Sequence, residues 1–311
     1  MEPNRPGGVY DLAGRDVARI GYGAMALEGY ADDLAAGERL VRRVVDLGVD
    51  HVDTADFYGD SVANEIIRRA VRPDDDVVVV TKVGAVRDPG GPLPLRLAQR
   101  PAELRAAVED NLRTLGRERI DVVNLRRADV GPGILATGEQ VVDLDDQLAE
   151  MIAMREEGLI GAIGLSAVGA DVLRRALPAG IVCVQNAYSL VAREHEDMVG
   201  LCAEQGVAWV PFFPLGSAFP RFPKVADQRE VVAVADRVGA TPAQVGLAWL
   251  LHRAENVLLI PGTASADHLA ENVAAGGVTL DEAALAELDG VWSARFEGTP
   301  LPDRTDRPDA G

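Results

Sequence analysis

Short apolar runs alternate with amphipathic stretches along most of this 311-residue chain. Runs that are apolar throughout, without polar alternation, are typical of strands buried on both faces. Between them, apolar residues recur at helical spacing, as in Leu40, Val41, Val44, Val45 and Leu47, and this first stretch ends near a glycine. The pattern predicts a hairpin over residues 9–27 that leads into a first strand, and further strands at 51–56, 76–83, 121–127, 162–167, 181–188, 207–215 and 257–262.

This alternation of strand and helix predicts a (β/α)8 TIM barrel of the α/β class. A doubly wound sheet is the alternative, but the glycine-rich turn GxGxxG that its first strand needs is reduced here to GYGAM at 21–25. We expect a single domain over residues 1–311, with the N-terminal β-hairpin before the barrel and an extra helix over 280–293 and a polar tail after it. The long loop at 85–100 carries little structural signal.

Polar side chains occur at the carboxyl ends of the predicted strands, where the active sites of such barrels lie. Asp53 and Tyr58 leave one strand, and Lys82 lies near the end of the next. Together they make a proton donor, because the ammonium lowers the pKa of the phenol and the carboxylate holds the ammonium in place. Only two of the 31 Lys and Arg residues are lysines, Lys82 and Lys224, which favours a site that needs an amine. The same rim is predicted to hold Arg126, Ser166, Gln185, Phe212 and Gly262.

The chain is acidic, with a formal net charge of −18. Nucleic acids and anionic membranes would repel it, so we expect neither as a partner. The polar start of the chain does not read as a signal peptide, and no apolar run approaches membrane-spanning length. Cys183 and Cys202 stand in apolar surroundings and are expected to be reduced core residues, so we expect a cytoplasmic protein.

Several motifs resemble those of the aldo-keto reductase family over nearly the whole chain. They are GVDHVDTADFYG at 48–59, VVVVTKVG at 77–84, LGRERIDVVNLRR at 115–127, GLSA at 164–167, VQNAYSL at 184–190, PFFPLG at 211–216 and IPGTASADHLAENVAA at 260–275. The resemblance implies a barrel that reduces a small-molecule carbonyl substrate with NADPH, as a monomer and without a metal. Tyr58 would then protonate the developing alkoxide, with Lys82 tuning Tyr58 and Asp53 supporting Lys82.

Arg126 departs from the family pattern, which usually has a histidine at this fourth catalytic position. A histidine donates while neutral and exchanges its proton near neutral pH, whereas an arginine is a permanent cation with a rigid fork of donors. We hypothesise that Arg126 polarises the carbonyl oxygen, further acidifies Tyr58, or binds an anionic group of the substrate. The alternative is that Arg126 turns aside to pair with Asp129 or another acid.

The resemblance also assigns residues to the cofactor. Ser166 and Gln185 would bind the nicotinamide carboxamide and Phe212 would stack on the ring, while Ala167 replaces a common asparagine for which Asn186 is a candidate substitute. The complete set of expected cofactor residues is Gly23, Ala24, Met25, Asp53, Ser166, Gln185, Phe212, Phe213, Leu215, Ser217, Gly262, Thr263, Ser265, His268, Glu271 and Asn272.

The adenosine end of the cofactor is expected at the helix that follows the Gly262-Thr263 turn. Free N–H groups and the helix dipole make such a terminus a natural phosphate site. Relatives commonly have an arginine where Ala264 stands, and the only nearby basic side chain is His268. NADPH is the cofactor expected from the family, with NADH as the alternative.

The substrate is not named by the sequence, and pyridoxal-like and natural-product carbonyls are only candidates. A second enzymatic hypothesis is reduction of a conjugated C=C bond, because replacement of the fourth-position histidine can change how an enone is held. A third hypothesis is a nicotinamide-binding regulatory subunit with little turnover.

Overall fold

The strands follow the apolar runs of the sequence, and most of them lie in one parallel sheet. The computed structural model describes residues 5–91, 94–216 and 223–294 and the backbone of 299–300. Within these residues the strands are β1 (Val9–Leu12), β2 (Arg15–Ala18), β3 (Tyr22–Gly23), β4 (His51–Asp53), β5 (Val78–Val83), β6 (Ala85–Arg87), β7 (Leu95–Leu97), β8 (Ile120–Arg126), β9 (Ile134–Leu135), β10 (Ile160–Ser166), β11 (Ile181–Gln185), β12 (Ala208–Trp209) and β13 (Thr299–Pro300).

Amphipathic helices follow the strands and cover the outside of the sheet. They are α1 (Leu34–Asp46), α2 (Val62–Ala70), α3 (Pro101–Leu115), α4 (Leu144–Glu156), α5 (Ala170–Ala176), α6 (Glu196–Glu204), α7 (Arg229–Val238), α8 (Pro242–Arg253), α9 (Ala266–Ala274) and α10 (Glu282–Asp289). Their buried faces pack on the sheet in the main hydrophobic core, which includes Leu104, Val108 and Met151. Gly239 ends α7 and separates it from α8, and Thr241 caps the second helix.

The sheet curls into a barrel whose seven laddered strands have the order β12-β11-β10-β8-β5-β4-β3. The seam is closed by the segment around Leu259, which forms single parallel bridges instead of a ladder: Ile20 pairs with Leu259 and Trp209 pairs with Val257. The Gly21 amide donates to the Leu259 carbonyl at 2.7 Å, so the first and eighth positions are joined by backbone hydrogen bonds. The predicted (β/α)8 barrel is confirmed.

A second apolar cluster fills the barrel interior. It contains inward-facing residues such as Val80, Val122 and Ala162, and also Leu12 and Val17 of the N-terminal hairpin. The predicted hairpin is therefore present and closes the end of the barrel where the strands begin. The carboxyl ends of the strands, at the opposite end, remain available for a site.

Two local expectations were wrong. The segment 85–100, expected as a loop, contains the antiparallel pair β6 and β7. The strand expected over 207–215 is only β12, because Pro211 and Pro214 lack the N–H groups that would continue a ladder.

Within the described part of the chain, no helix combines the length and the apolar character needed to cross a membrane. The same residues contain no group of three or more His, Cys, Asp or Glu side chains able to hold a metal ion. Cys183 and Cys202 are both buried free thiols.

Candidate active site

The barrel register brings the expected catalytic residues to neighbouring strand ends. Asp53 at the end of β4 pairs with Gly23 of β3, and β5 next to it carries Lys82. Across the sheet, Ser166 of β10 lies opposite both Arg126 of β8 and Gln185 of β11. Residues far apart in sequence therefore share one rim, as parallel topology requires.

Asp53 and Lys82 form a buried ion pair beneath this rim. Lys82 Nζ donates to Asp53 Oδ1 and, at 3.0 Å, to the carbonyl oxygen of Thr54. Gln185 Nε2 donates to the other carboxylate oxygen, Asp53 Oδ2, at 2.6 Å. Asp53 is 3% exposed and Lys82 6%, so both charges are withdrawn from water and depend on each other.

Tyr58 lies over this pair, with Lys82 Nζ 5.2 Å from the centroid of its ring. Burial raises the pKa of the Tyr58 phenol above 10.0, although Lys82 and Arg126 both oppose the rise. The expectation that Lys82 lowers this pKa thus describes only one contribution, because burial is the larger effect. Tyr58 is therefore protonated near neutral pH and is equipped to donate its proton.

Lys82 remains charged in this buried position. Burial by itself lowers the pKa of Lys82, but the neighbouring Asp53 carboxylate and the Tyr58 hydroxyl outweigh it, and the pKa lies above its ordinary value. The pair thus holds a cation beside the phenol, where it can stabilise a tyrosinate.

Arg126 does not pair with Asp129. The neighbouring Arg127 does, with its Nε 2.8 Å from Asp129 Oδ2. The buried Nη1 atom of Arg126 has no hydrogen-bond partner among the described residues. Burial lowers the pKa of Arg126, yet a guanidinium stays protonated in proteins. The site therefore contains a cation with one buried, unused donor atom, Nη1.

A second unpaired group lies among the residues that the resemblance assigns to the nicotinamide. Gln185 gives its amide N–H to Asp53, and its buried Oε1 atom has no partner among the described residues. A buried acceptor of this kind suits the amino group of a carboxamide. Asn186 is not free to help, because its side chain accepts from Val168 N at 3.1 Å and donates to Val168 O at 2.7 Å. These hydrogen bonds count against Asn186 as the substitute for the missing asparagine.

Phe212 and Phe213 lie in the loop after β12, where the resemblance places them. Their rings contact edge to face with centroids 5.1 Å apart, and both are partly exposed. Leu215 follows them and accepts a backbone hydrogen bond from Val225 at 3.1 Å. Ser217 lies outside the described residues.

The expected adenosine residues gather at the start of α9. Thr263 Oγ1 accepts from Ser265 N at 3.0 Å, and Ser265 Oγ accepts from His268 N at 3.3 Å, so both hydroxyls are used in capping the helix. His268 is exposed, Glu271 is half-buried and Asn272 is buried.

The first strand connects to this helix through Tyr22, whose hydroxyl donates to Thr263 O at 2.8 Å. A side chain at Gly262 would meet Gly23 O at 2.6 Å, so the two backbones are in close contact. Ala24 is buried behind them, while Met25 is 44% exposed.

Two features of the site were missed by sequence reasoning. Gln99 is buried, and its Nε2 lies 2.7 Å from both Gly84 O and Arg126 O, so it fixes the ends of β5 and β8. A small apolar cluster of Ala85, Leu97 and Ala128 also lies there, with Phe57, Ile134 and Ala136 packed on it. No local sequence pattern identifies Gln99, which lies in the segment 85–100 that was expected to be a loop. Phe57 could have been found, because it lies inside the motif that contains Asp53 and Tyr58.

A cavity of about 460 Å³ lies at the other end of the barrel. Its walls include Leu12, Arg15, Val78 and Arg155, which belong to the hairpin and to the beginnings of strands and loops there. None of the rim residues of the candidate active site lines this cavity, which is separate from that site.

The chain resembles known reductases in sequence and in structure. It matches the Aldo/keto reductase family over residues 19–293. It is 43% identical over 290 residues to Pyridoxine 4-dehydrogenase of Escherichia coli (strain K12), a match that covers 91% of this chain and 97% of that protein. It is 30% identical over 322 aligned positions to Probable aldo-keto reductase 1 of Glycine max, covering 93% and 88% of the two chains.

Among solved structures, an aldo-keto reductase from Klebsiella pneumoniae in complex with NADPH has a TM-score of 0.75 and 25% identity, covering 90% of this chain and 93% of that one. An aldo/keto reductase from the same organism in complex with NADP and acetate has a TM-score of 0.76 and 24% identity, covering 94% and 99%. Because the family match spans most of the sequence and agrees with the barrel and its rim of residues, this chain belongs to the aldo/keto reductase family of NAD(P)H-dependent oxidoreductases.

Proposed function

We propose that the protein reduces a small aldehyde or ketone to an alcohol with NADPH, and that Tyr58 is the proton donor. The observation that carries this proposal is the buried Asp53–Lys82 ion pair directly beneath the Tyr58 ring. The NADPH and NADP complexes of the Klebsiella pneumoniae relatives support the choice of cofactor. Pyridoxal is our first candidate substrate, because the Escherichia coli relative is named Pyridoxine 4-dehydrogenase.

Tyr58 protonates the carbonyl oxygen as negative charge develops on it. Burial keeps the phenol protonated until that moment, since it raises the pKa of Tyr58. Lys82 then stabilises the tyrosinate, and Asp53 holds Lys82 in position through their ion pair. Gln185 fixes the far oxygen of Asp53 and so keeps the pair oriented toward the rim.

The cofactor is assigned to residues on both sides of the rim. Gln185 Oε1, with Ser166 next to it, would accept from the carboxamide, and Phe212 would cover the ring. The start of α9 at Ser265 would hold the phosphate of the adenosine end through its backbone N–H groups. Bound NADPH supplies the hydride.

We propose a monomeric, cytoplasmic enzyme, and the two buried free thiols are in keeping with a reducing compartment.

The test is oxidation of NADPH and NADH, followed by absorbance, with pyridoxal and a panel of aldehydes, ketones and enones. Tyr58→Phe is expected to lower kcat about 10²- to 10⁴-fold. Tyr10→Phe, at the opposite end of the barrel in the N-terminal hairpin, is the matched control and should leave kcat unchanged. Turnover that survives Tyr58→Phe would overturn the mechanism, and product analysis with an enone would reveal any reduction of a C=C bond.

A further inference from the structure

We propose that Arg126 binds an anionic oxygen of the substrate next to the reacting carbonyl, so that the preferred substrates are aromatic carbonyl compounds with an ionised hydroxyl group on the adjacent ring carbon. This inference rests on the proposed function and names the substrate class of the same site. It assigns Arg126 a role in specificity that depends on a permanent cation.

The charged groups of the site do not cancel. Asp53 and Lys82 neutralise each other in their ion pair, and Tyr58 is neutral because burial raises its pKa. Arg126 then leaves one positive charge, and among the described residues no acid forms an ion pair with it. Arg126 is half-buried and its buried Nη1 has no partner, so a ligand that brings one negative charge and an acceptor oxygen gains most from this site.

The position of Arg126 puts it on the same rim as the proton donor. Arg126 ends β8, and this strand lies beside β5, which carries Lys82. Lys82 Nζ lies 5.2 Å from the centroid of the Tyr58 ring, and the charge of Arg126 also lowers the pKa of that phenol. Because the Tyr58 hydroxyl marks the place of the carbonyl oxygen, an oxygen held by Arg126 lies near that carbonyl. The guanidinium fork offers parallel donors for such an oxygen.

The surroundings of the guanidinium also limit the ligand. A Cβ at Gly133 would lie 3.5 Å from Arg126 Nη2, so a larger residue there would crowd the fork. Ala128, two residues after Arg126, belongs to an apolar cluster with Ala85 and Leu97, and the Phe57 ring packs on this cluster. Phe57 in turn contacts the Tyr58 ring edge to face, with centroids 5.2 Å apart. A guanidinium together with an apolar cluster that includes an aromatic ring suits a flat aromatic ligand with one acidic oxygen. Pyridoxal has this arrangement, with a ring hydroxyl next to its aldehyde.

The kinetic test compares 2-hydroxybenzaldehyde with 2-methoxybenzaldehyde, in which a methyl group prevents ionisation. In the wild type the ratio of their kcat/KM values should favour the hydroxyl compound at a pH where it is ionised. Arg126→Gln should reduce that ratio about tenfold or more, and Arg126→Lys should reduce it less, because a cation remains. The ratio for the 4-hydroxy and 4-methoxy pair should not change. Arg127→Gln is the matched control, since Arg127 already pairs with Asp129.

A binding test is independent of turnover. 2-Nitrophenol is the probe because its acidic hydroxyl lies next to a nitro group, which takes the place of the aldehyde and is not reduced by the hydride. Its phenolate form has a visible absorption band. Wild-type protein with NADP⁺ should raise the phenolate fraction of 2-nitrophenol at a pH below its free pKa, and Arg126→Gln should abolish this effect. A stable Arg126→Gln protein that keeps both the phenolate band and the substrate ratio would overturn the inference while leaving the reductase intact. Failure of the wild type to reduce any carbonyl would instead count against the proposed function.

Discussion

At the scale of single residues, the site is built on one buried ion pair. Asp53 and Lys82 are both nearly inaccessible to water, and each is the compensating charge of the other. Such pairs contribute little net stability when intact but are costly to break, because the remaining charge stays buried. The pair therefore couples the chemistry of Tyr58 to the stability of the barrel rim.

We predict that Lys82→Met lowers the free energy of unfolding by about 3 kcal/mol, because Asp53 is left buried and unpaired. The double variant Lys82→Met/Asp53→Asn should recover part of that loss. Denaturant titration measures both. Lys224→Met is the matched control, since Lys224 is exposed and its loss should cost about 0.5 kcal/mol or less. A Lys82→Met protein as stable as the wild type would show that the ion pair has no such role.

A second residue-scale prediction concerns pH. In the proposed mechanism reduction needs protonated Tyr58, so activity is expected below the pKa of Tyr58 and should be lost as the pH rises through it. Burial raises this pKa above 10.0, so kcat/KM should stay level from neutral pH to about pH 10 and fall only above it. Arg126→Gln removes a cation that lowers the pKa of Tyr58. This substitution should therefore move the alkaline fall in kcat/KM to still higher pH. A fall in kcat/KM that begins below pH 9 would contradict the assignment of Tyr58 as the titrating group. Such a pH lies about one unit below the ordinary pKa of a tyrosine.

At the scale of elements, side-chain caps fix the starts of two helices, and we propose that one of these starts also binds the cofactor. Thr241 and Gln244 form a capping box at the start of α8, and Ser265 caps α9 with its hydroxyl. The capping signal at Thr241-Pro242 is local and was readable from the sequence. That the start of α9 lies against the end of β3 was not, because the Tyr22–Thr263 contact joins segments 241 residues apart.

We predict that Ser265→Ala and Ser265→Asp separate the two roles of the α9 terminus. Ser265→Ala loses the cap and should cost about 1 kcal/mol of stability, whereas Ser265→Asp keeps a capping oxygen and should not. Ser265→Asp should nevertheless weaken NADPH binding about tenfold and NADH binding less, because its carboxylate repels the extra phosphate. Thermal unfolding and cofactor titration by fluorescence measure the two effects. Equal affinity for NADPH in Ser265→Asp and the wild type would place the phosphate elsewhere.

At the scale of the whole molecule, the barrel closes where two backbone segments approach each other closely. A Cβ at Gly23 would lie 2.5 Å from Ile260 O, and one at Gly262 would lie 2.6 Å from Gly23 O. These glycines are needed for close approach at the seam between the first and eighth positions. The seam has single bridges instead of a ladder, so it tolerates little displacement.

We predict that Gly23→Ala lowers the free energy of unfolding by about 1–3 kcal/mol, because the added methyl group pushes the seam apart. Gly277→Ala is the control, since nothing lies within 4 Å of a Cβ at that position. Thermal and denaturant unfolding of the two variants should therefore differ clearly. If Gly23→Ala were as stable as Gly277→Ala, the seam would be more adaptable than the backbone contacts indicate.

The sequence by itself determined the barrel and the composition of its rim. Buried strands and amphipathic helices are local patterns, so their alternation predicts the fold, and the parallel topology then places Asp53, Lys82, Arg126 and Gln185 at one end. It did not determine the pairing between them. Gln185 reaches Asp53 across 132 residues, and Asp129 is taken by Arg127, so Arg126 keeps a buried, unused donor. The direction of the Tyr58 pKa shift was also decided only by the tertiary structure, because burial in the folded rim outweighs the charge of Lys82. Contacts across the barrel and the removal of water depend on all strands at once, and no local pattern of residues carries that information.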